Sequence, residues 1–312
     1  MTRQWIRECR LIVGDDKEGL DLSALRIRFS VTQGDIQTPN HADITVTNLK
    51  DETANKIQKE FTKVRLEVGY QDEGTDLLFS GEIKQKRKGR ENPVDTFLAM
   101  LVVDGDKAYN FATVNKTLAA GHTFRDQVDV ALEAMKAYGI TAGFIADLGS
   151  AKAPRGRVLF GMARDILRSV AFSTRTSWSI QNGKMQIVKN SESLAGKAFV
   201  LNSRTGMIGL PVQTIDGIVV RCLLNAKIKP GSKVKIDQAS VQQQRLDPSY
   251  TGDVANSQIP TLADDGLYKV LIINHQGDNR GGPWYSDLTC IRADGQGPIP
   301  LSLVNRGISL QE

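Results

Sequence analysis

The chain has 312 residues, 40% hydrophobic and 24% charged, with 28 glycines, 10 prolines and an aromatic share of 6%. That length and balance suit two or three folded domains rich in turns, and they exclude a wholly disordered chain. The net charge of +5 is a small difference between 40 basic and 35 acidic side chains, so the sum alone does not single out a nucleic-acid partner.

The first hundred residues alternate between apolar and polar positions. Gln4 to Val13, Leu25 to Gln33, Ala42 to Asn48, Lys63 to Tyr70 and Leu77 to Gln85 follow a period of two, which predicts strands with one apolar face. Between them, Ala54, Ile57 and Phe61 fall at helical spacing and predict a helix over Lys50 to Phe61. Thr96 to Val103 reads as a further strong strand.

After Asp106 the period changes. Phe124, Val128, Leu132 and Met135 form the stripe of an amphipathic helix from Thr123, a suitable N-cap, to Tyr138 before Gly139. Met162, Ile166 and Val170 predict a second helix over Val158 to Ala171. Asn182-Gly183 between Trp178 and Lys189 predicts a hairpin closed by a type I′ turn. Thr205 to Pro211 reads as a turn-rich entry segment. Strands follow at Gly217 to Leu224, Lys233 to Ile236, Leu267 to His275 and Trp284 to Ile291, with a long polar loop over Gln238 to Pro260 and an irregular tail from Gly295. The fold class is therefore β-rich α+β: a β region over 1–106, an α+β insertion over 107–200, and a second β region over 201–312.

Catalytic constellations are absent from the sequence. It has no phosphate-binding glycine loop, no nucleophile elbow and no zinc-protease helix. His41, His122 and His275 stand far apart. Of these, His275 is the best candidate ligand or base, because Asn274 to Gly282 reads as a turn that would present it. The acid pairs Asp15-Asp16, Asp72-Glu73, Asp104 with Asp106, and Asp264-Asp265 lie in or beside turns, where carboxylates bond local backbone and stay solvated. No catalytic, cofactor or metal residue is assigned, and the expected function is not enzymatic. Cys9, Cys222 and Cys290 lie among apolar strand neighbours and read as core positions. The densest basic run, Lys84 to Arg90, reads as an exposed hairpin tip, so Lys84, Lys86, Arg87, Lys88 and Arg90 are the candidate interface residues.

Several stretches, in order along nearly the whole chain, resemble the baseplate hub proteins of contractile phage tails. This group is related to the hub region of type VI secretion spike proteins and to the phage late control family. The resemblance is carried by Val68-Gly69-Tyr70 leading to Leu78-Phe79-Ser80-Gly81-Glu82-Ile83, by Trp178-Ser179-Ile180 with Gly183 to Ile187, and by Asn225 to Val234. It continues in Gly266-Leu267-Tyr268-Lys269-Val270 with His275 to Asp278, and in Trp284-Tyr285-Ser286.

The resemblance implies two tube-type antiparallel β-barrel domains flanking the insertion. It also implies a homotrimer whose six similar domains meet a six-fold tail tube on one side and a three-fold spike on the other. The implied partners are a tail-tube or tube-initiator protein, a spike protein and, in the lumen, a tape-measure protein, with DNA only in transit. The implied location is the virion. No window approaches the about 18 apolar residues of a spanning helix and the first residues lack an apolar signal core, so assembly in the host cytoplasm without membrane insertion is expected. The alternative is a carbohydrate- or surface-binding β module of a tail tip or fibre, using Trp5, Trp178 or Trp284 as stacking platforms. A second alternative is a hydrolase built around His275.

Overall fold

The computed structural model describes residues 6–15, 18–237, 241–242, 262–263 and 265–294. Trp5, Asp16, Asp264, most of the loop 238–260 and the tail 295–312 lie outside the described residues.

The N-terminal region holds strands β1 (Arg7–Gly14), β2 (Gly19–Asp21), β3 (Arg26–Gly34), β4 (His41–Thr47), β5 (Lys63–Tyr70), β6 (Gly74–Arg90) and β7 (Thr96–Val103). Helix α1 (Asp51–Lys59) separates β4 from β5. The strands join antiparallel in the order β3-β4-β7-β6-β5-β1-β2. The alternation seen in the sequence decides which side is buried: Ile27, Phe29 and Val31 of β3 point inward, as do Ile44 and Val46 of β4 and Leu11 and Val13 of β1. Strands from both ends of this run share one core, so the sheet curls, and α1 covers it with Ile57, followed by Phe61.

The middle region has its own core. It comprises α2 (Asp106–Phe111), β8 (Thr113–Leu118), α3 (Phe124–Lys136), β9 (Thr141–Ile145), β10 (Arg157–Met162), α4 (Ala163–Thr174), β11 (Thr176–Gln181) and β12 (Lys184–Lys189). Thr123 caps α3 in a reciprocal capping box with Asp126. Asn182 and Gly183 both take positive φ, 53° and 76°, as the type I′ turn between β11 and β12 demands. One expectation is corrected. The helix predicted from Val158 begins only at Ala163, because Val158 to Met162 pair with β8 as part of strand β10, with Gly161 at φ 127° inside it.

The C-terminal region contains β13 (Phe199–Leu201), β14 (Met207–Thr214), β15 (Gly217–Leu223), β16 (Lys233–Ile236), β17 (Leu267–Asp278) and β18 (Trp284–Arg292). The supposed turn-rich entry at Thr205 to Pro211 is largely strand: β14 pairs with β15, and a bulge between Ile208 and Val212 accommodates Gly209 and Pro211. Strand β17 joins the two β regions into one sheet of thirteen strands. Its first residues pair with β16, Ile272 to Asp278 pair with β3, and β18 runs along its other side. At the crossing, a Cβ on Gly277 would lie 2.2 Å from the Phe29 ring, so no larger residue fits there. Trp284 of β18 packs in the N-terminal core, edge-to-face on Phe29 at 5.7 Å.

Candidate interaction surfaces

The basic run does not sit at a hairpin tip. Lys84 to Arg90 form the second half of β6, paired with β7, and the tip is the acidic-apolar segment Glu91 to Asp95 beyond it. Strand alternation divides its side chains between two faces. Lys86 and Lys88 point to one side, and Lys84 lies at a bulge between Ile83 and Gln85. Lys84 pairs with Asp106 at 2.9 Å and Lys88 with Asp51, in the first turn of α1, at 2.5 Å. Lys86 reaches the other end of α1, and its ammonium donates to the carbonyls of Ile57 at 2.8 Å, Gln58 at 3.2 Å and Phe61. Burial holds its pKa below the ordinary lysine value. These two lysines clasp both ends of the helix, so Lys86 and Lys88 act first as structural groups. Arg87, on the opposite face, and Arg90 at the strand end remain exposed.

A continuous bare face runs across both β regions. Cross-strand neighbours place Arg87, Ala99, Thr45, Arg28 and Asp278 in one row, and Gln85, Leu101, Asp43, Ser30, Gln276 and Tyr285 in the next. Its charges are largely matched. Arg28 makes a two-pronged pair with Glu91, Arg26 binds Asp278 at 2.7 Å, and Arg221 makes a two-pronged pair with Asp287 while covering the Tyr285 ring at 4.1 Å. Between the pairs lie hydroxyls and amides, such as Thr32 bonded to Asn274 and Tyr285 bonded to Gln276. The face is polar and close to neutral.

The insertion joins the β body through buried polar groups. In β11, Trp178 and Ile180 point into the insertion core while Ser177, Ser179 and Gln181 point at the body. Asp35, fully buried, accepts from Lys269 Nζ at 3.0 Å, Ser177 Oγ at 2.8 Å and Ser179 Oγ at 3.4 Å. Lys269, also buried, donates in addition to the Lys189 carbonyl. Asn40 donates to Ile180 O and the Gln181 side chain, and Arg168 of α4 binds Gln37. Asp104, just before the chain enters the insertion, accepts the backbone N–H groups of Asn182 and of Gly183, the latter at 2.9 Å. Burial pushes its carboxyl up to about 7, against the opposing pull of those two N–H groups. The reading of Asp104 as a solvated turn residue is thus overturned: it is 2% exposed, and its partners lie nearly eighty positions away.

His275 is likewise corrected. It lies inside β17, is 0% exposed, and its Nδ1 is 2.7 Å from Ser286 Oγ. Burial, with the nearby Lys229 charge, pulls its pKa down to about 3. A neutral, sealed imidazole cannot meet a substrate. Lys229 is half-buried, donating to the Leu77 carbonyl at 2.7 Å, and desolvation lowers its pKa to about 8. Together with Gln33 these groups form a polar layer between the N-terminal and C-terminal cores. Trp178 and Trp284 are buried, so neither offers a ring to a sugar. Cys222 and Cys290 are buried, and burial raises all three cysteine thiols. Among the described residues no three His, Cys, Asp or Glu side chains converge as metal ligands, and no helix is long and apolar enough to cross a membrane. The polar junction was not visible in the sequence, because Asp35, Ser177 and Lys269 are each unremarkable in their local segments.

Comparison with known proteins agrees with this architecture. The family model described as "Baseplate hub gp41" matches residues 9–253. Among solved structures, the tail protein of Neisseria meningitidis MC58 superposes with a TM-score of 0.57 at 9% identity, over 92% of this chain and 96% of that one. The 43 kDa tail protein of prophage MuSo2 from Shewanella oneidensis gives 0.54 at 10% identity, over 93% and 99%. The E. coli protein c3393, described as a type VI secretion component similar in structure to the T4 tail proteins gp27 and gp5, gives 0.50 at 10% identity, over 89% and 76%. At such identities the likeness is one of fold. No curated protein sequence matches the chain.

Proposed function

This chain belongs to the baseplate hub gp41 family of phage tail structural proteins, and from that premise we propose that it forms a homotrimeric ring adapting the six-fold tube of a contractile tail to its three-fold spike. In this reading, residues 1–106 and 201–312 supply two tube-type β-barrel domains and the insertion over 107–200 stands outside the ring. The observation that carries it, beyond family membership, is the single sheet that passes through both β regions by way of β17. Two β units locked in one sheet keep a fixed mutual angle, as a three-fold ring with six tube-facing units requires.

The bare sheet face is proposed as the channel wall. Its matched ion pairs and neutral amides suit passage of DNA or a tape-measure protein, since a strongly basic wall would hold a polyanion and stall it. Tail-tube or tube-initiator protein would meet the ring on one side and spike protein on the other, in a virion component assembled in the host cytoplasm. The role is structural rather than enzymatic. Electron cryomicroscopy of the particle tests it, together with the mass of the purified chain in solution. A three-fold ring at the tube–spike junction is expected. A peripheral position on a fibre, as a sugar-binding module would take, or six copies in a uniform tube ring, would refute it.

A further inference from the structure

The insertion carries an apolar surface that the ring does not use. Strands β8 and β10 form a two-stranded ribbon, and among the described residues each pairs only with the other. One face packs inward: Val114 and Leu159 join the insertion core, and Arg157 reaches Gln127 of α3 and Ser169 of α4. The other face holds Val158, Phe160 and Met162 opposite Thr117, Asn115 and Thr113. Phe160 is 80% exposed and Val158 67% exposed. Phe111, 62% exposed, adds to the Met162 end, where Ala112 O accepts from Ala163 N. An exposed apolar cluster of this kind marks an interaction site.

Its surroundings define the partner's charge. Residues 107–124 and 148–164 contain no carboxylate, and the insertion over 107–200 has thirteen Lys and Arg against six Asp and Glu, so it holds more than the whole net charge of the chain. Lys152 and Arg155 are exposed beside β10, in a loop held by two backbone bonds from Ala153 to Gly121 and His122. A second copy of this chain is a poor match. Its apolar edge strand β14 has Arg204 at its entry, and the carboxylates flanking exposed Val94 are already engaged by Arg28, Asn48 and Asn92. The sheet β11-β12-β9 also turns the insertion's polar face to the β body and its other face to the helices that carry the ribbon.

We propose that the outer face of the β8–β10 ribbon docks a different baseplate protein, one presenting an apolar strand or groove rimmed by Asp and Glu. This inference rests on the hub reading. It is tested by placing a photo-cross-linking phenylalanine analogue at position 160 in assembled particles and identifying the captured chain by mass spectrometry. The expected capture is a protein other than the hub. A cross-link to another copy of this chain overturns the proposal. So does the absence of a cross-link with hydroxyl-radical labelling of the ribbon equal in particle and free chain. In both cases the hub reading stands, whereas absence of the chain from particles defeats both. As a second measurement, Val158→Ser with Phe160→Ser alters only exposed side chains. It is expected to leave the thermal transition and oligomeric mass unchanged while lowering recovery in particles about tenfold or more, most sharply at high salt. Unchanged recovery would overturn the proposal as well.

Discussion

Replacing Lys269 with Met removes one half of a fully buried ion pair and strands the other. Asp35 would keep Ser177 and Ser179 as donors but lose its cation, and Lys189 O would lose a donor. Removing one partner of such a pair costs about 3–5 kcal/mol, because the remaining charge stays desolvated, whereas replacing both with apolar groups is often nearly neutral. Lys269→Met is therefore expected to destabilise by about that amount, and Lys269→Met with Asp35→Leu by clearly less. With a urea slope of about 2–3 kcal/mol/M, the midpoint falls by about 1–2.5 M in the single variant. Because the pair joins β17 to the insertion hairpin, amide exchange in β11 and β12 should accelerate before that in β3 and β4. A loss under 1 kcal/mol, or a double variant as damaged as the sum of its single changes, would refute the view that this pair locks the insertion to the body.

Asp104 and His275 pull stability in opposite directions with pH. The Asp104 carboxyl, raised to about 7, keeps its proton in the folded state while the unfolded chain releases it near 3.8. Its contribution therefore declines as pH rises from about 4 to 7, by up to about 4 kcal/mol, and urea titrations of Asp104→Asn should lack that slope. His275, lowered to about 3, makes folding less favourable as pH falls from 6.5 towards 3, and its ring resonances in NMR should stay fixed between pH 5 and 8. Thr123→Ala removes the α3 cap and should cost about 1 kcal/mol by chemical denaturation. Lys86→Met should cost about 1–3 kcal/mol through the freed carbonyls under α1. Arg87→Glu, on the bare face, should leave stability within about 0.5 kcal/mol by chemical denaturation.

Much of this protein was legible in one dimension. Period-two alternation placed β3, β4, β5 and β7 within about two residues of where they lie, since one buried face per strand leaves that pattern whatever the strand pairs with. The Thr123 cap and the Asn182-Gly183 turn were equally readable, because each satisfies a requirement of its own backbone. Likewise the order of the short hub-like stretches pointed to the family, as their spacing reflects the order of strands and turns.

What the sequence could not decide depended on distant partners. Lys84 to Arg90 looked like a solvated tip because nothing local says that α1 lies over Lys86 and Lys88. Met162, Ile166 and Val170 set a helical period, but pairing with β8 claimed Val158 to Phe160 for a strand. His275 seemed to sit in a presenting turn because Gly277 reads as a breaker. Only the approach of Phe29 shows that glycine there is a packing requirement inside β17. The joining of the two β regions and the buried Asp35–Lys269 pair come from contacts more than two hundred positions apart. Free energy from such contacts depends on which surfaces meet once the chain has closed on itself, and local periodicity carries no record of that.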